Sequence, residues 1–306
     1  MKLFLVKTSL MAFILVVIML ILLISSSFFV KNKEFNNYST DSNLLFLESS
    51  IDYDVLFMGI SHARNFSRYK NHLRVEKIIN KNIVNIGQGG GACGVNEQLF
   101  YLDYFYYKKN TTSQIVYVLS PPMLFSKTLP IASNTFDQES FEISFLFKYI
   151  FFSGENKNRR IISYIDTKLK KKWLELKPIT KESMLDSITY LDREAVKKGQ
   201  NIAYSGDSLD MEQFRKATKL VEETIQLAAD NDSKVVLLIP PALFGKWRGH
   251  QETIDFANEM NQKYKHIEVF DASETVLKPN FYYDNHHLNT KGVVYFTTNY
   301  LKPLIQ

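Results

Sequence analysis

The first apolar stretch runs from Leu10 to Ile24, "LMAFILVVIMLILLI", without a charge, and Ser25 to Val30 extend it with small and apolar residues. Some 20 residues at about 1.5 Å each span a bilayer core of about 30 Å. Polar residues follow (Asn32 to Ser50), and after them short apolar runs alternate with longer amphipathic ones. "DVLFMG" predicts a first strand and Ala63 to Asn80 a helix. "NIVNIG" (Asn82 to Gly87) predicts a second strand, Gly94 to Lys109 a helix, and "QIVYVLS" (Gln114 to Ser120) a third strand stopped by Pro121 and Pro122. From Met123 to about Asp207 the pattern breaks into Phe-rich and Lys-rich sequence, which reads as an insertion. Alternation resumes with a helix over Asp210 to Ala229, a strand "KVVLLIPP" (Lys234 to Pro241) and a helix over Glu252 to Tyr264. A strand "IEVFD" (Ile267 to Asp271) and a helix over Thr290 to Leu301 complete it.

Strands that each lead into a helix imply a parallel sheet covered on both faces. The expected architecture is α/β, a flavodoxin-like three-layer sandwich with five parallel strands in the order 2-1-3-4-5 behind one N-terminal transmembrane helix. In domain terms, residues 1–31 form a cytoplasmic tip and signal-anchor, 32–50 a linker, and 51–306 one domain with an insert at about 123–207.

Composition narrows the setting. The chain has 306 residues, 45% hydrophobic and 23% charged, as a globular protein does. Its single cysteine, Cys93, excludes an internal disulfide and a cysteine-based zinc site. The net charge of +5 is concentrated at the front, where Lys2, Lys7, Lys31 and Lys33 stand with no acid. The remainder holds 33 basic residues against 32 acidic ones, a net of +1, so global charge gives no support to nucleic-acid binding. Lys2 and Lys7 ahead of the apolar run favour a cytoplasmic N-terminus and a cell-membrane, single-pass, extracytoplasmic body. The rival is a cleaved signal peptide ending at Ser25–Ser27; the length of the run favours the uncleaved anchor. One basic cluster stands out: nine Lys and Arg in residues 157–181 against Asp166 and Glu175. It reads as a solvated face or as a patch for an anionic polymer or lipid headgroups.

Three stretches carry candidate chemistry. In "LFMGISH" (Leu56 to His62), Gly59 permits a tight bend and Ser61 falls just past the strand end, where α/β proteins handle ligands. The plain alternative is a serine that caps a helix. In "YYDNHHLNTKG" (Tyr282 to Gly292), Asp284 and His287 are three apart, so the carboxylate can reach the imidazole and fix its tautomer. Such a histidine can accept the proton of a serine hydroxyl, a poor nucleophile otherwise. A metal site is the alternative use of Asp284, His286 and His287, but no His-x-x-x-His spacing supplies further ligands. Between these stretches, "NIGQGGGACG" (Asn85 to Gly94) places five glycines in ten residues. Phosphate cradling lacks the acidic partner that a dinucleotide site needs. Backbone N–H groups approaching an oxyanion suit the stretch better. No cofactor is expected.

Together these residues resemble the SGNH (GDSL-like) hydrolase superfamily over about two-thirds of the chain. Ser61 in "MGISHARN" matches its first block, "NIGQGGG" its second, and "DNHHLN" its last. The resemblance implies a Ser61–His287–Asp284 triad with the N–H groups of Ser61 and Gly90 as oxyanion donors, and Gly87, Gly89 or Ser120 as substitutes. The chain departs from the family at block three, where "LSPPMLF" offers no asparagine after the third strand. Losing one oxyanion donor typically costs about 2.7–4 kcal/mol. The Ser-Pro stretch and "PPALFGKW" look like membrane-anchored SGNH proteins of bacterial envelope pathways, among them D-alanine transfer proteins of teichoic-acid modification. That likeness implies an acyl esterase or acyltransferase on a cell-surface polysaccharide or anionic polymer, with the membrane and a membrane-bound acyltransferase as partners. The competing expectation is a catalytically weak or inactive SGNH-fold binding or scaffolding protein of envelope glycan assembly.

Overall fold

The structure is a computed structural model that describes residues 1–31, 47–87, 94–126, 141–152, 158, 161–162, 164–166, 181–204 and 206–305, with side chains in the first segment described to residue 25. Five strands form one sheet: β1 (Asp52–Gly59), β2 (Ile83–Asn85), β3 (Thr111–Val118), β4 (Lys234–Ile239) and β5 (Ile267–Asp271). All pairings are parallel, as the alternation predicts, and the order is β2-β1-β3-β4-β5, as expected of a flavodoxin-like sheet.

Why these segments sit in the middle of a sandwich is written in β1. Val55, Leu56, Phe57 and Met58 are all buried, so the strand needs cover on both faces. Successive side chains point to opposite faces. Leu56 and Met58 therefore join one core, with Phe100 and Phe105 of α4 (Val95–Tyr107) and with Ile225. Val55 and Phe57 join the other, with Phe66, Val75, Val293 and Phe296. Opposite Phe57 in the register stand Asn85 on β2 and Val116 on β3. The strand ends are thus level, and the loops that follow β1, β2 and β3 share one edge.

Two helices differ from the sequence pattern. The expected helix from Ala63 to Asn80 is broken into α2 (Ser61–Arg64) and α3 (Asn71–Ile79). Between them Tyr69 and Lys70 both have φ of 57°, a left-handed conformation that interrupts a helix. Asn71 Nδ2 donates to the Asn65 carbonyl over 2.8 Å, so a side chain takes up a group that a continuous helix would have used. At the other end, α10 (Thr290–Phe296) passes into a π-helical turn over Thr297–Leu301. Asn289 caps α10 by accepting from the Gly292 N–H over 2.9 Å.

Within the expected insert, the described residues form α5 (Pro121–Phe125), α6 (Ile143–Phe151) and α7 (Arg193–Tyr204). The chain between residues 181 and 192 runs against the C-terminal loop. Met184 N donates to Thr290 Oγ1, Thr290 N to the Met184 carbonyl, and Ile188 N to the Tyr282 carbonyl. Most of the basic cluster in 157–181 and the linker residues 32–46 lie outside the described residues. The later helices are α8 (Met211–Ala229), capped by Asp210, and α9 (His250–Lys263).

The first helix, α1 (Lys2–Lys31), is long and apolar enough to cross a membrane. Of its side chains through Ser25, Leu23 is buried, Met19 and Leu20 are half-buried and the rest are exposed. An apolar surface of that extent suits lipid rather than water.

Candidate active site

β1 delivers Ser61 by way of Gly59, whose φ of +139° is a conformation that L side chains rarely adopt. A Cβ there would stand 2.7 Å from the Val118 carbonyl oxygen, so β1 passes β3 at backbone distance. Ser61 follows at the first position of α2. Two buried asparagines hold this corner. Asn85 Nδ2 donates to the Ala63 carbonyl over 2.7 Å, and Asn65 Nδ2 donates to the Leu288 carbonyl over 3.3 Å. The second bond ties the Ser61 loop to the loop that carries the histidines.

That loop is a tight reversal. Tyr282 and Leu288 form an isolated antiparallel bridge, and Tyr283 N donates to the His287 carbonyl over 3.1 Å. Inside it, Asp284 Oδ1 accepts the N–H groups of His286 (2.9 Å) and His287 (2.7 Å), the local bonding that makes aspartate a turn former. Its other oxygen, Oδ2, lies 2.7 Å from His287 Nδ1. On the far side of the ring, His287 Nε2 lies 2.7 Å from Ser61 Oγ. The three groups therefore form a continuous hydrogen-bonded chain in the order Ser61, His287, Asp284.

The electrostatics suit that order. Burial opposes ionisation of Asp284, but the hydrogen bond and charge of His287, with the charge and N–H of His286, outweigh it and hold the carboxyl well below the usual range. Asp284 is thus an anion against His287 Nδ1, able to stabilise an imidazolium. Burial, reinforced by the charge of His287, lowers His286 to about 4. Burial likewise lowers His62, with His287 and His286 adding to it. Tyr283 stacks its ring on His287 at 5.5 Å and 5°. Such packing locks the imidazole's orientation.

Where the serine, histidine and aspartate meet, the other candidates are placed differently. The Ser61 N–H has no hydrogen-bond acceptor among the described residues, as befits the first turn of a helix. The Gly87 N–H is committed to Asn85 Oδ1 over 2.8 Å, and a Cβ on Gly87 would meet Ala63 Cβ at 2.9 Å. Gly87 thus serves close approach of two loops. Ser120 Oγ pairs with His62 Nδ1 at 2.7 Å, in the interior. Gly89 and Gly90 lie outside the described residues.

Sequence alone assigns no role to His62, Asn85 or Asn65. His62 follows Ser61 directly and stacks on His287 at 5.0 Å. Asn85 ends β2, beside the glycine run. Their adjacency to the serine and glycine motifs is the only signal; the carbonyls that the two asparagine side chains donate to lie 22 and 223 residues away. A cavity of about 390 Å³ opens at Ser61, lined also by His62, Asp284, His286, Phe244 and Trp247. Its size and its mix of apolar walls and a few polar groups are those of a small-molecule pocket.

Comparison with known proteins adds little to this geometry. No family model matches the chain, and no curated protein matches it. Among solved structures the chain is similar to a crystal structure described as a "putative acylhydrolase" from Bacteroides fragilis, at 14% identity and a TM-score of 0.38. The match covers 82% of this chain and 86% of that one. A likeness that distant carries no argument. The functional reading rests on the side chains.

Proposed function

We propose that this chain is a membrane-anchored, extracytoplasmic serine esterase or acyltransferase of SGNH type that acts on a cell-surface polysaccharide or teichoic-acid-like polymer. The observation that supports it is the Ser61–His287–Asp284 chain, with 2.7 Å at each link. Ser61 Oγ attacks the ester carbonyl carbon as its proton passes to His287 Nε2. Asp284 holds the ring and stabilises the imidazolium without being protonated. Collapse of the tetrahedral intermediate expels the alcohol, which takes the proton back from His287, and leaves an acyl group on Ser61. Water then completes hydrolysis; a polymer hydroxyl in its place completes transfer. The Ser61 and Gly90 N–H groups are the proposed oxyanion donors. The polymer partner rests on the basic cluster in residues 157–181, and the membrane partner on α1.

A second reading is a non-catalytic envelope binding or scaffolding protein on the same fold. One observation favours it: "LSPPMLF" offers no asparagine donor after the third strand, and Ser120, the polar side chain there, is buried against His62. Turnover of a chromogenic acetate ester by the purified full chain, with covalent labelling of Ser61 by a fluorophosphonate, decides between them. Loss of both in Ser61→Ala supports the enzyme. No turnover and no labelling in the unaltered chain favours the binding protein.

A further inference from the structure

Three imidazoles converge beside Ser61. The ring centroids of His286 and His287 are 4.1 Å apart, those of His62 and His287 5.0 Å, and those of His62 and His286 5.5 Å. One ring nitrogen from each lies within 4.8 Å of the other two. We propose that His62, His286 and His287 form a site for a zinc-class divalent ion, and that metal binding and the Ser61–His287 hydrogen bond exclude one another.

The nitrogens are disposed as ligands would be. His62 is 6% exposed; its Nδ1 is held by Ser120 Oγ at 2.7 Å, while its Nε2 is buried beside the His286 backbone without a hydrogen bond of good geometry. A buried polar atom so poorly paired is costly, and a metal ion offers it a better partner. With Nδ1–H donating to Ser120 Oγ, the lone pair of His62 stands on Nε2. His287 repeats this arrangement, its Nδ1–H donating to the Asp284 carboxylate and its lone pair standing on Nε2. Metal-binding histidines almost always donate their other N–H to an acceptor of this kind. The acceptors of two ligands are thus already in place. His286 completes the set: its Nδ1 is 3.6 Å from Asp284 Oδ1, beyond a hydrogen bond, and its side chain is 33% exposed.

Ligand type selects the ion. Three neutral imidazoles suit zinc, copper or nickel, whereas magnesium and calcium require oxygen ligands. Zinc–nitrogen bonds are about 2.0–2.1 Å, so a tetrahedral ion needs the three nitrogens closer together than they stand. His286, the most exposed of the three, is the side chain free to swing inward. The fourth position then faces the cavity that Ser61, His62 and His286 line. His287 has one lone pair on Nε2. When the ion takes it, Ser61 loses the base that would accept its proton. This consequence rests on the esterase reading, whereas metal binding itself does not.

The test is a Zn²⁺ titration of the purified full-length protein against a chromogenic chelator, with Mg²⁺ as the comparison ion. The expected result is one Zn²⁺ per chain, no competition from Mg²⁺, and affinity reduced at least tenfold in His62→Gln and in His286→Gln. Because His62 is buried, a failure of His62→Gln to fold leaves His286→Gln, at a partly exposed position, to decide. Ser61→Ala, which removes the competing hydroxyl, should bind Zn²⁺ at least as tightly as the unaltered chain. Ester turnover should fall as Zn²⁺ is added and return with a chelator, each protein being compared with its own metal-free rate. Absent stoichiometric binding, or equal affinity in His286→Gln, overturns the site. Binding without loss of turnover overturns the mutual exclusion. A chain that turns over no ester fails the esterase reading alone, since the chelator titration still measures the metal.

Discussion

His287 Nε2 and Ser61 Oγ, 226 positions apart in the chain, stand 2.7 Å from each other. The loop before α10 and the turn after β1 reach the same edge of the sheet because every strand runs the same way. Asn65, four residues past Ser61, donates to the carbonyl of Leu288, one residue past His287. The two loops are therefore fastened side by side, and the serine–histidine contact depends on no long flexible side chain.

From that contact comes a kinetic expectation. Ser61→Ala and His287→Ala should each lower ester turnover by about four to six orders of magnitude, and the double variant should be little worse than either, because a base without its nucleophile does nothing. Asp284→Asn should cost about 10⁴-fold or less. His286→Ala should be far milder than His287→Ala, since the His286 ring bonds neither Ser61 nor the Asp284 oxygen that orients the base. Turnover of a small ester across these five proteins measures it. A dead His286→Ala beside an active His287→Ala would reassign the base.

Acid should weaken the fold over a particular range. Burial lowers His72 and His286 to about 4, whereas unfolded histidine titrates near 6.5. Between those values the unfolded chain binds protons that the folded chain refuses, so stability falls as pH drops from about 6.5 to about 4. Asp284 has the opposite character, with a depressed folded value. Its contribution is fully present above the unfolded carboxylate value of about 3.9 and is lost only below it. Urea midpoints measured every half unit should decline through the histidine window, and His72→Gln should flatten the slope. An unchanged slope in that variant would remove His72 from the account.

At the turn itself, Gly59→Ala should destabilise the fold by about 1–3 kcal/mol, the usual scale of a strained backbone conformation. The added Cβ would meet the Val118 carbonyl oxygen at 2.7 Å, and β1 cannot retreat from β3 without shifting Ser61. Turnover per folded molecule should therefore drop as well as the denaturation midpoint. Gly199→Ala makes the contrast: among the described residues no atom outside its own stretch of helix lies within 4 Å of its Cβ position, and the helix interior favours alanine. That variant should be neutral or slightly more stable.

The topology proposed from α1 has a direct assay. A reporter joined after Gln306 should be active only in a form that requires export, and the isolated protein should retain Met1 or Lys2 at its N-terminus. Mature protein that begins near Ser27 or Phe28 would show a cleaved signal in place of an anchor.

Much of this architecture was legible in one dimension. Buried parallel strands leave continuous apolar runs such as "VLFMG" and "VVLLI", because both faces are covered, and the parallel direction followed from the alternation with helices. Asp284 and His287 were legible for the same reason of locality: three residues apart in a turn, one can reach the other. What the sequence left open was everything that depends on distance along the chain. The break between α2 and α3 comes where Asn65 and Asn71 give their side chains to backbone carbonyls, one of them Leu288 far away, and no periodicity records such a bond. His62 is next to Ser61 in sequence, but only folding sets it against His287 and Ser120. Gly87 looked like a possible oxyanion donor until Asn85 took its N–H. Local pattern determines which segments are strands and which residues can chelate or orient a neighbour. Only the closing of the sheet edge decides which of those residues meet, because contacts between loops are set by the packing of elements and not by their spacing.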